Sequence, residues 1–337
     1  MPSKPSRRTG GRRPGKQAAR VPSLRVHWKN SAPTSGSKGD EPRRHYKLET
    51  LASATERLLR ENDRFIVPSI QGVLGPAPLA SLDFELVLEN GYRFLFKVGA
   101  TNAKKKRAHF AFIVAKNQTE YSKLVRNEHE HLAALHPRAP HHILKPYRRG
   151  EIFLPDRHQR TAHHREVFAY VMQGLGPFRE LGLARDRQFF VNTAPRRKLT
   201  RKQNEALKSK LVELIARTYD PAARDCMGIP DVASGDLAAT APRSNPPQLR
   251  LMACREVLHR ISPARLIHRM IRARWESTGR DAAVVPEDPY DFARGIQKGR
   301  GAEEGRTWLR EYFEAVHARK LAKSDYMPLS MKDEFGS

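Results

Sequence analysis

Residues 82–98 read LDFELVLENGYRFLFKV. Two apolar-rich runs, 82–88 and 92–98, flank Glu89-Asn90-Gly91, and Asn-Gly between such runs is a strong β-hairpin signal. In the second run, alternation places Phe94, Phe96 and Val98 on one face and Leu95 with Lys97 on the other. The Phe face predicts burial, which leaves Lys97 pointing to solvent or into a cleft.

Outward from this hairpin, the pattern predicts a short helix over 51–60, a short apolar strand at 70–74, a basic loop at 104–107 and a strand at 110–115. A helix over Glu120–Leu135 follows, then strands at 149–154 and 166–172. The second half reads as mostly helical. Leu207, Leu211, Leu214 and Ile215 share one stripe of a helix over 203–218, the 3.6-residue signature. A loop rich in Gly, Pro, Ala and Asp spans 220–234, and a second hairpin pairs 237–240 with 248–252. Ser262-Pro263 reads as a cap and first helical position, opening a helix to about residue 275. A last helix, 302–321, aligns Trp308, Leu309, Tyr312, Phe313 and Val316. Strands first and helices second is the order of an α+β fold.

Chemistry enters at the helix over Glu120–Leu135. Tyr121, Leu124, Val125, Leu132 and Leu135 form its apolar stripe, and Glu128 falls on that stripe. A carboxylate facing a core is costly unless paired and hydrogen-bonded, and Lys97 is a candidate partner. A strand lysine held by a helix glutamate positions an ammonium for nucleotide phosphates. The alternative is a solvated lysine and a rim glutamate.

The order of these segments resembles the protein-kinase-like superfamily over about residues 65–260, especially the bacterial branch of aminoglycoside phosphotransferases and lipopolysaccharide-core sugar kinases. Phe94-Leu95-Phe96-Lys97 resembles that fold's V-A-I-K strand, and Glu128 the partner acid on the following helix. Residues 166–174, with Met172 before Gln-Gly, resemble the last strand running into the hinge. Ser234-Gly235-Asp236-Leu237 resembles the H-G-D-L loop, whose Asp accepts the acceptor's hydroxyl proton. Gly72 and Gly75 supply a GxxG where the family has its phosphate-covering loop. The resemblance implies a two-lobed α+β fold behind a disordered basic tail (residues 1–47). A small antiparallel sheet with one helix would occupy 48–174, a helical lobe 175–325 and a C-terminal tail 326–337. It also implies ATP and Mg2+ between the lobes, with Asp236 catalytic and Lys97, Glu128, Gly72, Gly75 and Met172 around the nucleotide.

This sequence departs from that pattern at the metal. Ser234 replaces the His, and the family's Asn position falls on Ala241, with Asn245 further on. The strand ending at Met252 leads into Ala253-Cys254-Arg255 instead of a metal-binding Asp, and Glu256 is the nearest acid. Mg2+ shields developing phosphate charge. Either Glu256, with Asp231 or Asp225, holds it differently, or the site binds without catalysing, or the fold is not kinase-like.

Composition bounds the partners. The 337 residues carry 62 Lys and Arg against 36 Asp and Glu, a net charge of +26. That balance favours phosphate-rich partners: a nucleotide, a lipid-linked sugar or other anionic acceptor, or nucleic acid. Residues 1–47 hold thirteen Lys or Arg against Asp40 and Glu41. This segment is expected to stay disordered, as an arm for an anionic membrane or nucleic acid or as a solubilising tail. Its GxxxxGK at residues 10–16 meets Gln17 where a P-loop needs Ser or Thr. A competing function is non-enzymatic nucleic-acid binding through this tail and an Arg-rich helix carrying Arg265, Arg269, Arg272 and Arg274. Two cysteines, Cys226 and Cys254, form no disulfide framework and suit a reducing compartment. No apolar run approaches a membrane span. The expected location is the cytoplasm, at most peripheral to a membrane. The fourteen histidines show no metal-binding spacing.

Overall fold

The computed structural model describes residues 24–30, 46–61, 63–89, 92–116, 120–155, 164–184, 188–192, 196–230, 235–240, 247–276, 285–322, 326–328 and 331. The chain is α+β, with seven α-helices among the described residues.

A six-stranded sheet has the order β1-β2-β3-β4-β6-β5. Its strands are β1 (Arg25–Asn30), β2 (Leu79–Glu89), β3 (Arg93–Asn102), β4 (Arg107–Ala115), β5 (Pro146–Pro155) and β6 (His164–Gln173). β2 and β3 form the expected hairpin, with Glu89 opposite Phe94; its tip, Asn90-Gly91, lies outside the described residues. The predicted Phe face is buried: Phe94, Phe96 and Val98 join Phe84 and Phe112 in one core. Two helices cover this face, α1 (Leu48–Glu61) and α2 (Ile66–Leu74). The other face meets α3 (Glu120–Leu135) and belongs to a second core that extends through the rest of the chain.

Two expectations are corrected here. Residues 70–74 are the end of helix α2, not a strand. The Asp63 carboxylate accepts the backbone N–H groups of Phe65, Ile66 and Val67 at 2.9, 2.8 and 2.5 Å, an N-terminal cap that starts the helix. Gly75, at φ +90°, ends it. The basic N-terminal segment also contributes structure, because Arg25–Asn30 pairs parallel with β2. Trp28 explains the pairing: its ring stacks on Phe84 at 4.3 Å and its indole N–H donates to Glu56 at 3.2 Å.

Beyond β6 come three short strands that no sequence signal marked: β7 (Phe178–Leu183), β8 (Phe189–Val191) and β9 (Arg197–Lys198). They join the second predicted hairpin, β11 (Leu237–Thr240) and β12 (Leu249–Leu251), in a sheet of order β12-β11-β7-β8-β9. β10 (Cys226–Met227) and β13 (Val257–Leu258) form a small separate pair. Helix α4 (Arg201–Thr218) opens with a capping box between Thr200 and Gln203. Helices α5 (Pro263–Glu276), α6 (Pro289–Arg300) and α7 (Ala302–His317) complete the chain. α6 packs on α4 and α7 packs on both α5 and α6. Gly299 permits the α4–α6 approach, since a Cβ there would come within 2.6 Å of the Ala216 Cβ.

Candidate functional site

Glu128 is fully buried on α3, as its place on the apolar stripe requires. Its cation is Arg93, not Lys97. Oε1 accepts from Arg93 Nη1 and, at 2.6 Å, from the Tyr170 hydroxyl; Oε2 accepts from the Tyr92 hydroxyl at 3.0 Å. Arg93 is itself fully buried, and its Nη2 donates to the Gly235 carbonyl at 3.3 Å. Lys97 shares the strand face of Arg93 but stands about 14 Å further along, at ~3.4 Å per residue. It is exposed. Arginine suits the buried position because its planar fork donates to a carboxylate and a carbonyl at once. The alternation that placed Lys97 also placed Arg93 on the same face, and that was the available signal.

The cluster is electrostatically self-contained. Burial, the largest single influence, lowers the Arg93 pKa, but Glu128 together with Tyr92, Tyr170 and Asp236 more than offsets it, so the guanidinium is held charged. Burial, then Glu128, pushes the Tyr170 hydroxyl well above its ordinary value. Tyr92 is also raised, by burial first, with Arg93 opposing.

Asp236 is buried beside this cluster, at the start of β11. Its carbonyl accepts from Met252 N at 2.8 Å and Ala253 N at 3.3 Å, and its Oδ1 accepts from Arg255 Nη2 at 3.1 Å. The Arg255 guanidinium also lies 4.9 Å from the centre of the Tyr92 ring. Tyr92 therefore joins two ion pairs, Arg93–Glu128 and Arg255–Asp236. Gly235, at φ +76°, is needed at this join, because a Cβ there would lie 2.8 Å from Glu180 Oε1. Glu180, on β7, accepts from Asn192 Nδ2 at 3.3 Å. Burial raises its pKa, with Asn192 and Arg93 opposing. Nothing in the sequence singled out Glu180, Asn192 or Tyr92.

A cavity of about 520 Å3 opens beside Glu180 and Asn192; Arg93, Glu128, Asp236 and Arg255 are not part of its lining. Leu88, Leu95, Lys97 and Ala111 line it from the six-stranded sheet, and Leu175 and Gly176 from the segment after β6. Phe178, Glu180, Asn192 and Met252 close it from the other side. Glu85, His109 and Arg179 add to its polar side, so the lining combines apolar side chains with charged ones of both signs. A larger hollow of about 770 Å3, between α1 and β5, is lined by none of the residues expected to act.

The remaining expected residues fall elsewhere. Gly72 is exposed on α2 and Gly75 caps that helix, on the sheet face away from the cavity, so they cover no ligand there. Met172 pairs with Ala111 across the sheet and is buried in the core. Both Glu256 oxygens accept from Arg269 Nη2 at 3.0 Å, and Asp225 faces His259 at 3.1 Å. Asp231, Ser234, Ala241 and Asn245 lie outside the described residues. Arg255 thus engages Asp236, and Arg269 engages both oxygens of Glu256. No three His, Cys, Asp or Glu side chains converge among the described residues. The histidines of and after α3 bind backbone instead: His129 to Tyr147 O, His131 to Cys254 O and His136 to Ile143 O. No described helix is long and apolar enough to cross a membrane. No protein-family model and no curated protein sequence matches the chain.

Proposed function

We propose that this chain is a catalytically degenerate relative of the kinase-like phosphotransferases, holding a nucleotide in the 520 Å3 cavity without transferring its phosphate. The observation that carries this reading is the pair of arginines on the two acids expected to work. Arg93 engages Glu128 and Arg255 engages Asp236. An aspartate held by a guanidinium is a weaker base for an acceptor hydroxyl.

Support for the kinase-like frame is topological. The strands preceding and following α3, the segment at Leu175-Gly176 and the β11–β12 hairpin come in the order the resemblance implies, and β2, β3, β4, Leu175-Gly176 and Met252, just after β12, line one cavity. In this reading the base lies against Leu95, Ala111 and Met252, and Lys97 meets the ligand's negative charge. Lys97 is thus retained as a ligand group, while the clamp role passes to no residue. An anionic or sugar-containing acceptor has no activated base waiting for it.

Thermal unfolding of the full chain with ATP, with and without Mg2+, tests this. ATP should raise Tm, since a ligand at 100 times its Kd stabilises by about 2.7 kcal/mol. Mg2+ should add nothing, Lys97→Ala should remove most of the shift, and no phosphate should be released. Absence of any shift with ATP, ADP or GTP refutes nucleotide binding, and Mg2+-dependent phosphate transfer refutes degeneracy.

A further inference from the structure

The turn between β3 and β4 carries Lys104, Lys105 and Lys106, and Arg107 opens β4, giving four consecutive cations, all exposed. None of them forms an ion pair with another described residue, whereas Arg201, Arg269 and Arg294, also exposed, pair with Glu287, Glu256 and Asp291. A solvated basic loop would be mobile and would gain little from a fixed shape. This one is built. The Asn102 side chain is buried beneath it; its Oδ1 accepts from Lys104 N and Lys106 N at 3.0 Å each, and its Nδ2 donates to Leu74 O at 3.2 Å. Backbone bonds close the same ring: Lys105 N to Asn102 O at 2.9 Å and Asn102 N to Lys106 O at 3.0 Å. Lys105 stands at φ +60°, where glycine or asparagine would be at less cost.

We infer that this turn is a binding site for the phosphate backbone of a nucleic acid, independent of the cavity and of the function proposed for it. Four cations lie within about 10 Å of chain, and a duplex offers one negative charge per ~1.7 Å of its axis. Because the turn is held by Asn102, little ordering entropy remains to oppose the contact. Lysines on a turn supply point charges without a base-reading fork, so recognition is of backbone and not of sequence. An anionic membrane is the poorer fit. Ala103 is the sole apolar side chain within the turn, and interfacial segments bury a substantial apolar face.

Fluorescence anisotropy with a short labelled DNA duplex and a single-stranded RNA, using the full chain, decides the point. One variant carries Lys104→Ser, Lys105→Gly, Lys106→Ser and Arg107→Ser; Gly suits the left-handed position, so the turn is kept. A second removes the same charge from exposed positions of the helical half: Lys298→Ser, Arg306→Ser, Arg310→Ser and Lys320→Ser. Circular dichroism confirms that each is folded. The turn variant should flatten the slope of log affinity against log salt by about 3 to 4 and weaken low-salt binding at least ~tenfold. The second variant should change the slope by less than about 1. Equal losses in both variants would reduce the effect to bulk charge and overturn the site. So would a native chain that ignores both oligonucleotides, or one that binds phosphatidylserine vesicles in their place.

Discussion

Arg93 and Lys97 lie on one face of one strand, yet their surroundings are opposite. Arg93 is sealed between Glu128, Tyr92, Tyr170 and the Gly235 carbonyl, while Lys97 is exposed at the cavity. The difference comes from what lies above each position. α3 delivers its buried carboxylate over the start of β3, where Tyr92 and Arg93 stand, and the cavity opens over the middle. Charge and strand parity therefore narrow the choice of partner to a face, and the neighbouring helix selects the residue.

The largest expected effect breaks the buried end. Arg93→Met leaves Glu128 inside the core without its cation and should cost about 3–5 kcal/mol of unfolding free energy in urea titrations. Adding Glu128→Leu should recover a large part of that loss, because the uncompensated charge is then gone. If the single variant is as stable as the native chain, the ion pair is not formed.

Glu180 sharpens the comparison by pH. Its folded pKa is raised above the ordinary value near 4.5, first by burial. Between the two values the folded state keeps a proton that the unfolded state has released. That contribution is complete below the unfolded pKa and is lost as pH rises through the folded one. Glu180→Gln should thus gain stability relative to the native chain on going from acid to neutral pH, in paired urea melts. A pH-independent difference would place Glu180 in water.

The smallest effect belongs to Lys97. Removing an exposed side chain that makes no described ion pair should shift stability by no more than about 0.5 kcal/mol, while leaving the nucleotide-induced rise in Tm largely abolished. A severe loss of stability in Lys97→Ala would mean that it, too, is a structural cation.

Much of this arrangement was legible in the residues. Alternation found the β2–β3 hairpin and its buried Phe face, and 3.6-residue periodicity found α3 and the costly place of Glu128. What escaped was non-local. β1 depends on Trp28 reaching Phe84 across the sheet edge, β7 pairs with the distant β11, and β8 and β9 are too short for a period to register. The apolar run at 70–74 fits strand or helix by pattern alone; the deciding signal was Asp63, three residues before Ile66. Arg255, read as an absent metal ligand, has a positive role on Asp236 that no spacing rule announces.

A double-mutant cycle tests most directly which cation Glu128 holds. Unfolding free energies would be measured for Glu128→Gln combined separately with Arg93→Met and with Lys97→Met. The geometry predicts a coupling of about 1–3 kcal/mol for the 93–128 pair and additivity within about 0.5 kcal/mol for the 97–128 pair. Coupling between 97 and 128, with additivity between 93 and 128, would contradict the arrangement described for this sheet and the site built on it.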